Sequence, residues 1–250
     1  MDIVQITDLH IAKDINQEKN NCVPYSRLYN TLETIKLNHK NIEYLIITGD
    51  LSNDYSSESY QHIKELLKRY KFKISLLPGN HDDFTLIKSL QDDQISISNI
   101  DLSNANALAY NFDTHVPSMV NGKLKKSQIH DLIKSLDMLD MAKNVLIFTH
   151  HPLKPIGSKW IDRHICENSE LLINALQSYE NLSFSIFSGH VHQEFHLKMG
   201  NIEFFTTPST CYQFEALSAD FKVDENLSYG YRVITLHDKT ISTKVHRVLT

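Results

Sequence analysis

Residues 44–82 read YLIITGDLSNDYSSESYQHIKELLKRYKFKISLLPGNHD, and this stretch decides the fold. Tyr44–Ile47 is an unbroken apolar run, short enough for a strand buried on both faces, and it stops at Thr48-Gly49-Asp50. Ser56–Tyr70 then carries Tyr60, Ile63, Leu66 and Leu67 at helical spacing. Ser56 or Ser57 can cap its first turn, and Glu58 suits the positive end. Phe72–Leu77 is a second apolar run, and it stops at Pro78-Gly79-Asn80-His81-Asp82. Strand, helix and strand in this order make a βαβ unit with parallel strands.

The same pattern extends in both directions. Upstream, Ile3–Ile6 runs into Thr7-Asp8-Leu9-His10, and Ser26–Leu37 follows with Leu28, Tyr29, Leu32 and Ile35 at helical spacing. Downstream, Val145–Phe148 runs into Thr149-His150-His151-Pro152, and Phe184–Phe187 into Ser188-Gly189-His190-Val191-His192. Helices are predicted over Ser127–Leu139 and Ser169–Tyr179. The end differs: Ile202–Thr206 and Tyr231–Leu236 read as strands, and Thr240–Val248 pairs with the latter as an antiparallel hairpin across His237-Asp238-Lys239. Gln91–Asn106 is polar and is predicted to be an excursion or mobile segment. There is no repeat, low-complexity tract or Gly/Ser linker, so residues 1–250 read as a single α/β domain.

Composition narrows the function. With 41% hydrophobic and 22% charged residues the chain is an ordinary globular protein. A net charge of −5 offers no basic surplus for a general nucleic-acid surface. The opening MDIVQITDLH has no basic start followed by a long apolar run, so neither a signal nor a transit peptide is expected. No run approaches the roughly 18 apolar residues of a membrane span. Cys22, Cys166 and Cys211 are an odd number, widely spaced and without a CxxC pair. They read as packing thiols in a reducing cytoplasm rather than a disulfide framework.

Histidine is the anomaly. There are 14, several beside Asp, Asn or Gly at the ends of the apolar runs. Ligands collect outside the carboxyl ends of strands in α/β sheets, so the five polar turns can converge although far apart in sequence. Asp8, His10, Asp50, Asn80, His150, His190 and His192 would then form one cluster. Carboxylates, an amide oxygen and imidazoles suit iron, manganese or zinc, not a thiolate site or an all-oxygen cage. Seven ligands exceed one such ion and suffice for two if a carboxylate bridges. The Asp8-x-His10 and His190-x-His192 spacing is expected to put both side chains on one side of an extended turn. Glycine before Asp50, Asn80 and His190 is expected to permit tight turns. Either His150 or His151 could ligate by chemistry. Asp82 and Asp83 could support the cluster or be solvated turn residues. Asn53 and Asp54 could touch substrate or start a helix, Trp160 is expected in the core before a rim position stacking a base, and His196 and the remaining histidines are expected at the surface or in packing.

The ordered set DxH, GD, GNHD, HxP and GHxH resembles the calcineurin-like metallophosphoesterases. That resemblance implies a four-layer α/β/β/α sandwich around two mixed sheets. It implies one metal on Asp8, His10, Asp50 and His192 and a second on Asp50, Asn80, His150 and His190, with Asp50 bridging. It selects His150 over His151 and gives His81 a role against phosphate or as proton donor to the leaving group. The GNHD block, the stretch Pro208-Ser209-Thr210-Cys211-Tyr212-Gln213-Phe214 and the segment Tyr229-Gly230-Tyr231-Arg232 are similar to bacterial class III 3′,5′-cyclic-AMP phosphodiesterases. This nearer likeness implies hydrolysis of 3′,5′-cyclic AMP to 5′-AMP by a bridging hydroxide at a dinuclear site of iron or manganese, with zinc as a further choice. Asp50 and His81 would be catalytic, and Asn80, His81, His192, Thr210 and Gln213 would meet the substrate. The partner expected is a small cyclic nucleotide, with no nucleic acid and no membrane; a homodimer is allowed for. The rival readings are a phosphodiesterase for glycerophosphodiesters or 2′,3′-cyclic nucleotides, then a nuclease or a non-catalytic scaffold.

Overall fold

A computed structural model describes residues 1–139, 144–237 and 240–249. The first half runs β1 (Asp2–Ile6), α1 (Pro24–Asn38), β2 (Ile42–Thr48), α2 (Ser57–Leu67), β3 (Lys73–Leu77), α3 (Phe84–Ser89), β4 (Ile95–Ser96) and β5 (Ala107–Phe112). The second runs α4 (Lys126–Asp137), β6 (Asn144–Thr149), α5 (Ser169–Gln177), β7 (Ser183–Ser188), β8 (Phe195–Met199) and β9 (Ile202–Thr206). It closes with β10 (Gln213–Phe214), β11 (Val223–Asp224), β12 (Gly230–Leu236) and β13 (Ile241–Arg247).

Two mixed sheets result. The first has the order β13-β12-β1-β2-β3-β4, and the second β5-β6-β7-β9-β8. β1 to β4 pair in parallel, while β12 joins β1 antiparallel and β13 closes the hairpin. In the second sheet only the edge strand β8 is antiparallel. Asp238 and Lys239, in the predicted hairpin turn, lie outside the described residues.

The period-two alternation of strand side chains makes the layers. Val4, Leu45, Ile47, Ile74 and Leu76 face one way, onto Leu28, Leu32 and Ile35 of α1 and Ile63 and Leu66 of α2. Ile3, Ile46 and Leu77 face the other way and meet Leu146, Phe148 and Phe187 of the second sheet. The outer face of that sheet, Val145, Ile147, Phe184 and Ile186, packs on Leu132 and Leu136 of α4 and Leu172 and Leu176 of α5. Strands covered on both sides need apolar residues at every position, which is why they read as unbroken runs. The architecture is therefore helix, sheet, sheet, helix.

The helices fall where the periodicity places them, with shifted ends. Pro24 starts α1 two residues before Ser26, because proline suits the first helical turn. Ser56 caps α2, its hydroxyl accepting from the Ser59 N–H at 3.2 Å. Gln91–Asn106 is not a free excursion: Ile95, Ile100 and Leu102 are buried, and β4 pairs with β3. The segment crosses from one sheet to the other. Between the sheets, below their carboxyl ends, Gln5 donates to Thr48 at 2.9 Å and accepts from Thr207 at 2.6 Å. Arg232 donates there to Thr207, Thr243 and the Thr206 carbonyl. No helix among the described residues is long and apolar enough to cross a membrane.

Candidate metal centre

The five strand-end turns meet at one edge of the sandwich. The turns after β1 and β2 run side by side: Asp8 N–H donates to the Gly49 carbonyl at 3.0 Å, His10 to Asp50 at 3.0 Å and Ile11 to Leu51 at 2.9 Å. The turn after β7 joins them through the His190 N–H, which donates to Asp8 Oδ2 at 2.9 Å. The turn after β3 joins through the His81 N–H, which donates to Asp50 Oδ1 at 2.8 Å.

The backbone here is not the extended turn expected from the x-spacing. Asp8, His10, Asp50, His190 and His192 all have positive φ, from 48° to 68°. Left-handed residues without glycine are uncommon and locally costly, and Asp, Asn and His tolerate them best. Such strain persists where surrounding contacts over-determine it, and it clusters at functional sites. Gly49 keeps the expected tight-turn role, and Gly79 does not. Gly49 has φ +97°, but Gly79 is required by close approach: a Cβ there would lie 2.1 Å from Asp50 Oδ1.

Two groups of side-chain atoms result. In one, His10 Nε2 lies 3.2 Å from His192 Nε2, His192 Nε2 lies 3.4 Å from Asp8 Oδ1, and Asp50 Oδ2 is 3.8 Å from His10. In the other, His150 Nε2 lies 3.1 Å from Asn80 Oδ1, 3.3 Å from Asp50 Oδ1 and 3.3 Å from His190 Nδ1. Asp50 thus presents one oxygen to each group. His150 Nδ1 faces the Thr48 carbonyl at 2.7 Å, and His192 Nδ1 faces the Tyr212 carbonyl at 2.8 Å. A carbonyl only accepts, so Nδ1 carries a proton in both rings, and in the neutral imidazole both Nε2 atoms carry bare lone pairs. These lone pairs point at a carboxylate or an amide oxygen. Acceptor against acceptor repels unless a cation lies between them. Donors around an ion bound at about 2.1 Å would lie roughly 3.0–3.4 Å apart, which is the spacing of all these pairs but His10 and Asp50, at 3.8 Å. The donor set fits two divalent ions.

His151 is excluded from that set by its own bonds. Its Nε2 donates to the Val120 carbonyl at 3.0 Å, and its Nδ1 accepts from the Thr114 hydroxyl at 2.8 Å. It lies near enough to His150 and His190 to join a ligating trio by distance alone, but neither nitrogen is spare.

Burial shapes the charge states. It pulls His10, His151 and His190 well below the ordinary histidine value, which keeps them neutral. Burial also pulls on His150, but Asp50, Asp8 and the Thr48 carbonyl outweigh it and leave that histidine raised. Asp8 is resisted by burial yet held far below the usual carboxylate range by His192, His150 and His10.

Several residues left undecided by the sequence acquire a place. Asp82 accepts from the N–H groups of Leu51 at 3.0 Å, Ser52 at 3.2 Å and Gly79 at 2.8 Å, and from Tyr60 Oη at 2.9 Å. It ties the turn after β2 to the turn after β3. Burial, then Asp50, push its carboxyl up to about 7 against those bonds. Asp83 caps α3, and Asp54 accepts from Ser56 at the start of α2. Trp160 is half-buried, edge-on to Phe214 at 4.8 Å and to the exposed Phe221 at 5.2 Å. His196 pairs with Glu203 on the edge strand.

His81 is half-buried with its ring 5.3 Å from His10, and Tyr55 lies parallel to it at 6.4 Å. Burial lowers its proton affinity, and Asp50 opposes this. Thr210 is buried, its hydroxyl without a hydrogen-bond partner among the described residues. Gln213 is buried too, with its amide spent on the Ser209 carbonyl at 2.9 Å and on Arg247 at 3.2 Å. Sequence reasoning passed over Lys19, which bonds Asn53 and lies 5.6 Å above the Tyr212 ring. Its loop has no hydrophobic period, so only the fold brings it to the rim.

The chain belongs to the calcineurin-like phosphoesterase family, whose profile matches residues 1–194. Within that class it is 31% identical over 248 residues to the 3′,5′-cyclic adenosine monophosphate phosphodiesterase CpdA of Escherichia coli (strain K12), spanning 98% of this chain and 89% of that protein. It is 32% identical over 249 residues to a 3′,5′-cyclic-nucleotide phosphodiesterase of Nostoc sp. (strain PCC 7120), spanning 98% of this chain and 92% of that one. Among solved structures, a dimetal phosphatase from Danio rerio aligns with a TM-score of 0.70 at 13% identity, over 99% of this chain and 96% of that one. That likeness shows the fold.

Proposed function

We propose that this chain, as a single cytoplasmic domain, hydrolyses 3′,5′-cyclic AMP to 5′-AMP at a centre for two divalent ions, iron or manganese before zinc. The observation that carries the reading is the convergence of imidazole, amide and carboxylate atoms at 3.1–3.8 Å in two groups that share Asp50. The substrate named for the relatives at 31% and 32% identity supports the choice of ester. Asp8, His10, Asp50 and His192 would hold one ion; Asp50, Asn80, His150 and His190 would hold the other. Bound there, the ions supply positive charge for the phosphate oxygens and a water made nucleophilic at neutral pH.

The chain's own residues do the rest. The Thr48 and Tyr212 carbonyls fix the tautomers of His150 and His192, so their lone pairs stay aimed inward. The His81 N–H bond to Asp50 holds its ring above the cluster, where it donates to the departing O3′. Asn80 and His192 flank the phosphate. Thr210 offers a buried hydroxyl to the same side, and Gln213 acts indirectly, by holding the turn at Ser209.

A kinetic panel tests the substrate. The metal-loaded protein should show a higher kcat/KM for 3′,5′-cyclic AMP than for 2′,3′-cyclic AMP or glycerophosphocholine. Ready turnover of the glycerophosphodiester with little of cyclic AMP would replace the substrate and leave the metal centre standing.

A further inference from the structure

Cys22 and Cys211 are 189 positions apart, yet their sulfur atoms lie 3.4 Å from each other in a buried pocket with Tyr212 and Phe214. Cys22 lies in the β1–α1 loop, where it closes a tight bridge with Lys19: N–H to carbonyl at 2.8 and 3.1 Å, and Sγ to the Lys19 carbonyl at 3.1 Å. Cys211 precedes Tyr212, and the Arg27 guanidinium donates to its carbonyl. The third cysteine, Cys166, stands apart beside Asn168 at 3.6 Å. We propose that Cys22 and Cys211 are a peroxide-oxidisable dithiol whose disulfide acts on the metal centre through Tyr212.

The chemistry balances without a further reagent. The Cys22 thiolate attacks one peroxide oxygen, the O–O bond breaks, and Cys22 becomes a sulfenic acid with release of water or alcohol. The Cys211 thiol then attacks that sulfur, the S–O bond breaks, and water leaves with the thiol proton. Two thiols are oxidised and one peroxide is reduced. Hydrogen bonding from Cys211, with Arg27 and Lys19 nearby, lowers the Cys22 thiol against the effect of burial, which makes it the attacking member. Burial holds the Cys211 thiol high, which suits the resolving role.

Bond formation closes the sulfurs from 3.4 Å to about 2.05 Å. The next residue cannot ignore that movement. Tyr212 accepts the His192 Nδ1–H through its carbonyl at 2.8 Å, and its ring lies 4.7 Å from His192 and 5.6 Å from His10. Disturbing such an outer partner of a ligand costs about 10–100-fold in metal affinity or activity.

The test treats the full metal-loaded chain with graded hydrogen peroxide, counts thiols and maps peptides without reduction. Free thiols should fall from three to one, with Cys166 remaining and Cys22 joined to Cys211. Phosphodiesterase activity should fall about 10-fold or more, return with dithiothreitol, and survive the same dose in Cys22→Ser. Thiol loss without a Cys22–Cys211 peptide overturns the dithiol. Equal inactivation of Cys22→Ser overturns its link to the metal centre. The peptide map is independent of which ester is the substrate.

Discussion

His81 completes no metal set, and its ring is turned toward His10 rather than into a hydrogen bond with the chain. That leaves it free to serve the leaving group, and a positioned proton donor is worth about 10²–10⁴-fold. His81→Ala should retain both metals and lose activity on that scale with cyclic AMP, whose ribose oxygen needs a proton. The defect should be much smaller with bis(p-nitrophenyl) phosphate, whose phenolate departs without one; equal defects would make His81 a phosphate contact. The neighbouring histidines separate by occupancy. His150→Ala should lower bound metal and activity together. His151→Ala should keep metal and lose about 10–100-fold in activity, because it removes support from Thr114 and Val120 rather than a donor. A metal titration with the reverse order would move the ligand. The sequence named both histidines but could not choose on chemistry, because the groups that occupy His151 come from residues 114–120, a stretch without helical or strand period. Asp82 was likewise visible in the GNHD block, but its four donors lie on two turns and on α2, which only folding assembles.

Each ligand turn owes its position to the strand that precedes it, and that is why the strand ends were legible. Apolar runs buried on both faces announce β1, β2, β3, β6 and β7, and the polar residues that stop them form the candidate site. Two edge strands were not legible: β8 alternates half-buried and exposed residues, and β5, ALAYNF, mixes buried and half-buried residues without an unbroken apolar run. The left-handed backbone was also hidden, since x-spacing alone implies an extended turn. At this scale the tightest joint is between the turns after β2 and β3. In Gly79→Ala the added carbon would meet Asp50 Oδ1 at 2.1 Å, a carboxylate oxygen held by the His81 N–H, and the backbone Asp50 N at 2.4 Å. Overpacking of this kind costs roughly 1–3 kcal/mol. Gly79→Ala should therefore weaken metal binding and lower the melting temperature together. A variant with normal metal content and normal melting would show that the joint has slack.

The whole molecule places a cluster of buried histidines and carboxylates between two sheets, and this sets its response to acid. His10, His151 and His190 are held below their ordinary 6.5, so the unfolded chain takes up their protons first. Their stabilising contribution is present above pH 6.5 and is lost as pH falls. Asp82, raised to about 7, and His150, raised above its ordinary value by Asp50, Asp8 and the Thr48 carbonyl against burial, work the other way: their contributions are present at low pH and are lost as pH rises. His39, His81, His115 and His246 are lowered by burial as well, so the lowered histidines outnumber these two and leave a net loss on acidification below 6.5. The metal-stripped protein should melt at a lower temperature at pH 5.5 than at pH 7.5, each kcal/mol moving the midpoint by roughly 2–4 °C. An equal or higher midpoint at pH 5.5 would mean these histidines are not kept neutral by the fold. Strand order and layers follow from burial on two faces; the convergence of five turns follows from β1, β2 and β3, parallel in one sheet, and β6 and β7, parallel in the other, all ending at one edge. Asp50 is where the two sets of ligands join, with Oδ1 3.3 Å from His150 and Oδ2 3.8 Å from His10. The decisive measurement is elemental analysis of metals per chain in the wild type, His10→Ala and Asp50→Ala, each loaded and desalted alike. Two ions in the wild type, partial loss in His10→Ala and near-complete loss in Asp50→Ala are expected; two ions retained in Asp50→Ala would contradict a centre built on that carboxylate.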